Sequence, residues 1–179
     1  MSSSISILLV DDEEKLVQRL AKTLRDDHFN VETALDVDTA IALLNGELFS
    51  IVITDLNMPK KSGFDLMNYI RENDIDVIPL VLTGYSSVEG AIQAIKLGAY
   101  DFLEKPVDTR TLKMTIKRAA ERIILKRENQ NHIRELQKLN HLKNEFLSVV
   151  SHDIRSPLSS IGGYANFLLK RGDLNDFQH

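Results

Sequence analysis

Apolar residues along the first two thirds of the chain alternate between two rhythms. Ile5, Ile7, Leu8, Leu9 and Val10 form a short, nearly unbroken run, the pattern of a strand buried on both faces. Leu16, Val17, Leu20, Ala21 and Leu24 then recur at helical spacing within residues 15–25, and residues 29–33 alternate as a strand does. Either Asp36 or Asp38 can cap a second helix carrying Ala40, Ile41, Leu43 and Leu44, with Asn45-Gly46 as its stop. Residues 51–54 are a third buried strand ending at Asp55, and the turn-rich segment from Asn57 to Gly63 leads into a helix with Phe64, Leu66, Met67 and Ile70. Residues 77–82 form a fourth strand. Ser86-Ser87 opens a helix through Ala91, Ile92, Ala94, Ile95 and Leu97, which Gly98 closes before a brief strand over residues 100–103.

Five strands separated by helices predict an α/β domain with a doubly wound, five-stranded parallel sheet and helices on both faces. Such sheets place their sites beyond the carboxyl ends of the strands. Asp11, Asp12, Asp55, Thr83 and Lys105 all fall at predicted strand ends or just after them, so five polar residues distant in sequence converge on one rim.

From Asp108 the rhythm changes. No further strand appears, and Leu112, Ile116, Ala119, Ala120, Ile123 and Ile124 begin a helical stripe. A thinner one continues through Ile133, Leu136, Leu139, Phe146, Val149 and Val150, and neither glycine nor proline occurs between Val107 and Pro157. This predicts a long α-helix that pairs with a partner as a coiled coil, here a parallel homodimer. Asn129, His132 and Asn140 interrupt the heptads and weaken the pairing near residues 129–132. The expected organisation is a sheet domain over residues 1–122, a coiled-coil segment over 123–145, and a third segment over 146–179.

Composition narrows the function classes. The 179 residues are 43% hydrophobic and 27% charged with 4 prolines, the balance of a globular chain with room for one full core and an appendage. A net charge of -4 argues against general nucleic-acid binding. The lack of cysteine removes disulfides, thiolate metal sites and cysteine nucleophiles. The first apolar run lacks a basic flank and runs into Asp11 and Asp12, unlike a signal peptide, and no stretch approaches the roughly 20 apolar residues of a membrane span. A cytoplasmic location with no membrane association is expected.

Three carboxylates at neighbouring strand ends repel one another unless a cation sits among them, and an all-oxygen donor set suits Mg²⁺. With Lys105 as a second positive charge, one carboxylate can act as nucleophile toward a phosphoryl group while Thr83 donates a hydrogen bond to it. A lone aspartate at a strand end more often simply caps the next helix, but five such residues on one rim leave that explanation weak.

Over residues 4–122 the sequence resembles the response-regulator receiver family, through Val10-Asp11-Asp12-Glu13, Asp55 with Asn57-Met58-Pro59 and Gly63, Thr83-Gly84, and Lys105-Pro106. The resemblance implies a flavodoxin-like receiver in which Asp55 takes phosphate from a phosphohistidine on a histidine kinase or phosphotransfer protein. It implies that Asp12 binds Mg²⁺ directly with help from Asp11, that Asp55 and the Asn57 carbonyl complete the protein ligands, and that Lys105 contacts the phosphoryl group. Thr83 and Phe102 are the implied switch pair, Thr83 moving toward the phosphoryl group while Phe102 rotates. As a bare sequence feature, Phe102 can also be read as an ordinary core or edge aromatic, and Glu13 as a helix-start acid.

Near the carboxyl end, Glu145-Phe146-Leu147-Ser148-Val149-Val150-Ser151-His152-Asp153-Ile154-Arg155-Ser156-Pro157-Leu158 sets a histidine one turn beyond apolar residues and just before a carboxylate. A neutral imidazole is a usable nucleophile, and Asp153 can accept its other proton or orient the ring. Pro157 is expected to loosen or kink the helix. Over residues 140–170 the sequence resembles the H-box of histidine kinases, which implies that His152 is a phosphoacceptor within the first helix of a dimerisation and histidine-phosphotransfer domain. Four residues on, where that family often has Thr or Asn for phosphatase activity, this chain has Ser156. The resemblance also implies a second hairpin helix and an ATP-binding kinase domain. Neither has room before His179, so the chain looks truncated and is not expected to phosphorylate His152 from ATP unaided.

Three functions compete. The first is two-component signal transduction in which the receiver, phosphorylated on Asp55, regulates a histidine kinase through His152. The second is a response regulator whose helical tail only dimerises it. The third is a relay between His152 and Asp55, which an unbroken helix from residue 110 to 152 would hold roughly 60 Å apart within one chain.

Overall fold

A computed structural model describes residues 5–84 and 88–173, apart from the side chains at 88, 149, 156, 164 and 168–173. The Ser86-Ser87 helix opening and the side chains of Val149 and Ser156 therefore lie outside the described residues. Two compact units divide the chain, residues 1–126 and 127–179.

The first unit alternates β1 (Ser6–Val10), α1 (Glu14–Asp26), β2 (Asn30–Ala34), α2 (Val37–Gly46), β3 (Ile51–Thr54), α3 (Gly63–Glu72), β4 (Ile78–Thr83), α4 (Val88–Lys96) and β5 (Asp101–Glu104), followed by the start of α5 (Thr109–Asp173). All strand pairs are parallel, in the order β2-β1-β3-β4-β5. This is the five-stranded doubly wound sheet expected from the sequence. Its central strands have apolar side chains on both faces because helices cover both. Ile7, Leu9, Ile51, Ile53, Leu80 and Leu82 bury against α1 and the root of α5. Leu8, Val10 and Val52 meet α2 and α3, and Val81 meets α3 and α4.

Several boundaries differ from the periodicity by one residue. Strands β2, β4 and β5 each begin and end one residue later than their apolar runs, because partner register rather than apolarity sets the ends: Ala34 pairs with Val10 and Thr83 with Glu104. Of the two candidate caps for α2, Asp36 is the one whose carboxylate accepts a hydrogen bond from the Thr39 amide, at 2.8 Å. Helix α3 opens with a reciprocal capping box, in which Ser62 accepts from the Asp65 amide while Asp65 accepts from the Ser62 amide.

In the second unit, α5 continues through residues 129–132 and past Pro157 to Asp173. Proline removes one hydrogen bond and crowds the preceding turn, yet the turns on either side stay helical here, so Pro157 does not end the helix. Apolar side chains on this stretch, including Leu136, Phe146 and Ile154, are more than half exposed. No described helix is long and apolar enough to cross a membrane.

Candidate functional site

The parallel register brings the carboxyl ends of β1, β3, β4 and β5 to one rim, and the residues that follow inherit that position. Asp11 continues β1, its amide bonded to the Ala34 carbonyl at 3.2 Å, and Asp55 continues β3, its amide bonded to the Val10 carbonyl at 2.9 Å. Lys105 follows β5 and donates its amide to the Thr83 carbonyl at 2.8 Å. The sheet itself therefore sets the spacing of the acidic and basic groups.

Lys105 is the hub. Its Nζ donates to Asp55 Oδ2 at 2.7 Å and lies 2.6 Å from Asp11 Oδ2. Both carboxylates are nearly inaccessible, Asp11 at 1% and Asp55 at 6% exposure, so these ion pairs are little screened. The second oxygens are held by the backbone: Asp11 Oδ1 accepts from the Glu13 amide at 2.9 Å and Asp55 Oδ1 from the Asn57 amide at 3.2 Å. Burial pushes the Asp11 carboxyl above its ordinary value, against the opposing pull of Lys105 and the Glu13 amide. Burial also works against the Lys105 charge, but its contacts with Asp11 and Asp55 win and raise the ammonium above its usual range.

Ligand oxygens of Asp11, Asp12 and Asp55 lie within 4.8 Å of one another. Asp12 is exposed and the other two are buried. Asp11 Oδ2 is buried, with the Lys105 ammonium 2.6 Å away as its counter-charge. An all-carboxylate cluster of three acids, with a single ammonium beside two of them, is the oxygen donor set that fits a hard divalent cation.

Thr83, also expected at the site, is fully buried as the last residue of β4. Phe102 is half-buried on β5 and packs against the cluster of Leu56, Met67, Val81 and Ala94. Two contributors had no signal in periodicity or charge. Thr54 donates its hydroxyl to the Asp55 carbonyl at 2.9 Å, and Gly63 passes so close that a Cβ there would lie 2.0 Å from the same oxygen. Gly63 stands in the receiver motif, but its steric reason emerges only in three dimensions.

The second unit carries His152 on the α5 surface. Its side chain is 84% exposed, and Nδ1 lies 3.3 Å from Asp153 Oδ1, so the contact engages Nδ1 and not Nε2. The neighbouring carboxylate can hold the Nδ1 proton and so favour the tautomer with a nucleophilic Nε2.

Comparison with known proteins agrees with both units. The response regulator receiver domain matches residues 7–117, and the His Kinase A (phospho-acceptor) domain matches residues 142–179. The nitrogen assimilation regulatory protein NtrX of Azorhizobium caulinodans is 34% identical over 135 residues, covering 74% of this chain and 29% of that protein. The response regulator protein PilR of Pseudomonas aeruginosa is 40% identical over 106 residues, 59% of this chain and 24% of that one. The chain thus spans well under a third of the length of these relatives. A CheY-like receiver domain protein from Methanospirillum hungatei superposes with a TM-score of 0.67 at 25% identity, over 69% of this chain and 99% of its own. The chain belongs to the response regulator receiver family and joins its receiver domain to a histidine kinase phospho-acceptor region, the combination of a two-component signalling protein.

Proposed function

We propose that Asp55 accepts a phosphoryl group from a phosphohistidine and that the phosphorylated receiver regulates the use of His152 as a histidine kinase phosphoacceptor. The observation that carries the first part is the Lys105 ammonium held 2.7 Å from Asp55 beside a second buried carboxylate. An Asp55 oxygen attacks phosphorus, the phosphorus–nitrogen bond of the donor breaks, and the electron pair leaves on the imidazole, which takes up a proton. Lys105 follows the charge onto the phosphoryl oxygens, and Thr83 donates to one of them. Asp11, Asp12, Asp55 and the Asn57 carbonyl are the proposed Mg²⁺ ligands. A bound Mg²⁺ supplies charge neutralisation at the phosphoryl oxygens. Phe102 follows Thr83 as the switch aromatic.

The second part rests on the phospho-acceptor match and on the His152–Asp153 contact. It favours a kinase-type output over a tail that only dimerises. The proposed domain limits are 1–122 for the receiver, 123–145 for a coiled-coil linker and 146–179 for the start of the phosphotransfer domain. The proposed assembly is a parallel homodimer through the exposed stripe of α5, in the cytoplasm, with a histidine kinase or phosphotransfer protein as donor and an ATP-binding kinase domain as the partner that phosphorylates His152.

The direct test is incubation of the chain with acetyl phosphate and Mg²⁺, with the product read by intact mass. One acid-labile phosphoryl group is expected, lost in Asp55→Asn and on chelation of Mg²⁺. Stoichiometric labelling of Asp55→Asn at another aspartate would refute the assignment.

A further inference from the structure

The loop that follows β3 carries Asp55 and, two residues on, the Asn57 carbonyl proposed above as a cation ligand. Its far half is strained. Lys60 has a φ of 68°, and the Lys61 amide donates to the Pro59 carbonyl at 2.8 Å. A hydrogen bond across three residues around a positive-φ centre is the rare, strained hand of γ-turn, and lysine lacks the glycine freedom that would relax it. Such a turn persists only where its surroundings hold it.

One hold comes from the start of α3, through the capping box of Ser62 with Asp65 and the bond from the Gly63 amide to the Leu56 carbonyl at 3.1 Å. The other comes from α2: the Lys61 ammonium donates to Asp38 Oδ1 in the first turn of that helix. Both side chains are exposed, and an isolated pair of this kind counts for little. This one sits in a network. Contact with Asp38 raises the Lys61 ammonium above its usual range, and the Asp65 charge adds to it. Asp36 is held below its ordinary value by the Thr39 amide first and by the Lys60 charge further. Carboxylates at the starts of α2 and α3 thus surround both lysines of the strained turn.

We propose that Asp38 and Lys61 are positioning residues for cation binding: their ion pair holds the turn at Lys60 and, through it, the Asn57 carbonyl. The inference rests on the Mg²⁺ reading given above and adds to it two residues outside the acidic rim. The chain between Lys61 and that carbonyl has few soft torsions. Proline fixes its own φ at residue 59 and confines Met58 to extended backbone, and the γ-turn closes residues 59–61. A displacement of Lys61 therefore reaches the peptide between Asn57 and Met58. Burial of the Met58 side chain in the cluster shared by α2 and α3 limits its size, so the effect on affinity is modest.

The sign of that effect separates positioning from a simple field. With the backbone unmoved, deleting the Lys61 charge favours a nearby cation and deleting the Asp38 charge disfavours it. Loss of the ion pair instead weakens cation binding in both variants. Mn²⁺ is the paramagnetic probe for the full chain, its binding read from loss of the free-ion EPR signal with no phosphodonor present. Lys61→Met and Asp38→Asn are each expected to weaken Mn²⁺ binding about two- to fivefold, what an ion pair of this exposure can transmit. Lys61→Arg keeps the charge and the reach to Asp38, and is expected to match the parent. Tighter or unchanged binding in Lys61→Met, unchanged binding in Asp38→Asn, or a Lys61→Arg loss equal to that of Lys61→Met would overturn the positioning role. Mn²⁺ binding that survives Asp12→Asn and Asp55→Asn unchanged would instead overturn the cation site on which the inference rests.

Discussion

Replacing Gly63 with alanine tests whether the backbone around Asp55 is as tightly set as the structure indicates. The added Cβ would meet the Asp55 carbonyl oxygen at 2.0 Å, its carbon at 2.9 Å and Thr54 Oγ1 at 3.0 Å. Two of these are backbone atoms, which cannot rotate away as a side chain can. Relief requires the start of α3 and the end of β3 to separate by more than an ångström, which strains the bond from the Gly63 amide to the Leu56 carbonyl at 3.1 Å and that from Thr54 Oγ1 to the Asp55 carbonyl at 2.9 Å. Overpacking of this kind costs about 1–3 kcal/mol, and each weakened hydrogen bond adds about 1 kcal/mol, so a loss of about 3 kcal/mol is expected for the receiver unit. With a urea slope of about 1.5 kcal/mol per molar, the midpoint falls by about 2 M. Because the displaced carbonyl belongs to Asp55, labelling by acetyl phosphate is expected to slow as well. Gly46→Ala is the matched control: its Cβ meets nothing within 4 Å at the end of α2, and alanine should be neutral or stabilising by up to about 1 kcal/mol. A Gly63→Ala midpoint within about 0.3 M of the parent, a small fraction of the shift computed from that slope, together with an unchanged labelling rate, would refute this reasoning.

Asp11 gives a pH prediction whose sign follows from its raised pKa. A folded-state value above the unfolded 3.8 means that the native chain holds this proton longer, so Asp11 subtracts from stability as pH rises from 3.8 through its folded value. Asp11→Asn removes that loss and should gain thermal stability relative to the parent across that window, while losing Mg²⁺-dependent labelling; a stability difference independent of pH would contradict it. Lys105 is raised instead, so its stabilising contacts persist below its unfolded value of 10.5 and disappear only as pH climbs through the folded one. Lys105→Met should therefore destabilise at neutral pH and flatten the alkaline limb of the profile, as checked by urea unfolding at several pH values. A chain ending at Lys126 should sediment as a monomer at concentrations where the full chain is dimeric, because it lacks the exposed stripe; equal dimerisation of both would move the interface into the receiver.

Much of this was legible in the sequence because the physics was local. The short apolar runs of Ile51 to Thr54 and Val77 to Leu82 stand between segments of helical spacing and read as two-sided strands, and Asp55 and Thr83 just beyond them marked the rim. Less visible was what depended on pairing. The ends of β2, β4 and β5 follow their partners' register, and the choice of Asp36 over Asp38 as the α2 cap depends on which carboxylate reaches the Thr39 amide. The Thr54 hydroxyl had no precursor signal, since a threonine ending a buried strand reads as a strand former like any other. At Pro157, expected to loosen or kink the helix, α5 is continuous to Asp173, because one missing hydrogen bond within a long helix is outweighed by the turns around it.

Inter-subunit distances between spin labels at Lys138, with and without beryllofluoride and Mg²⁺, test most directly whether the receiver regulates the His152 helix. The account predicts that the distance distribution changes shape or mean when Asp55 is occupied, as follows if the proposed dimer's helices can shift between arrangements of similar free energy. An identical distribution in both states, with occupancy of Asp55 demonstrated in the same sample, would contradict it.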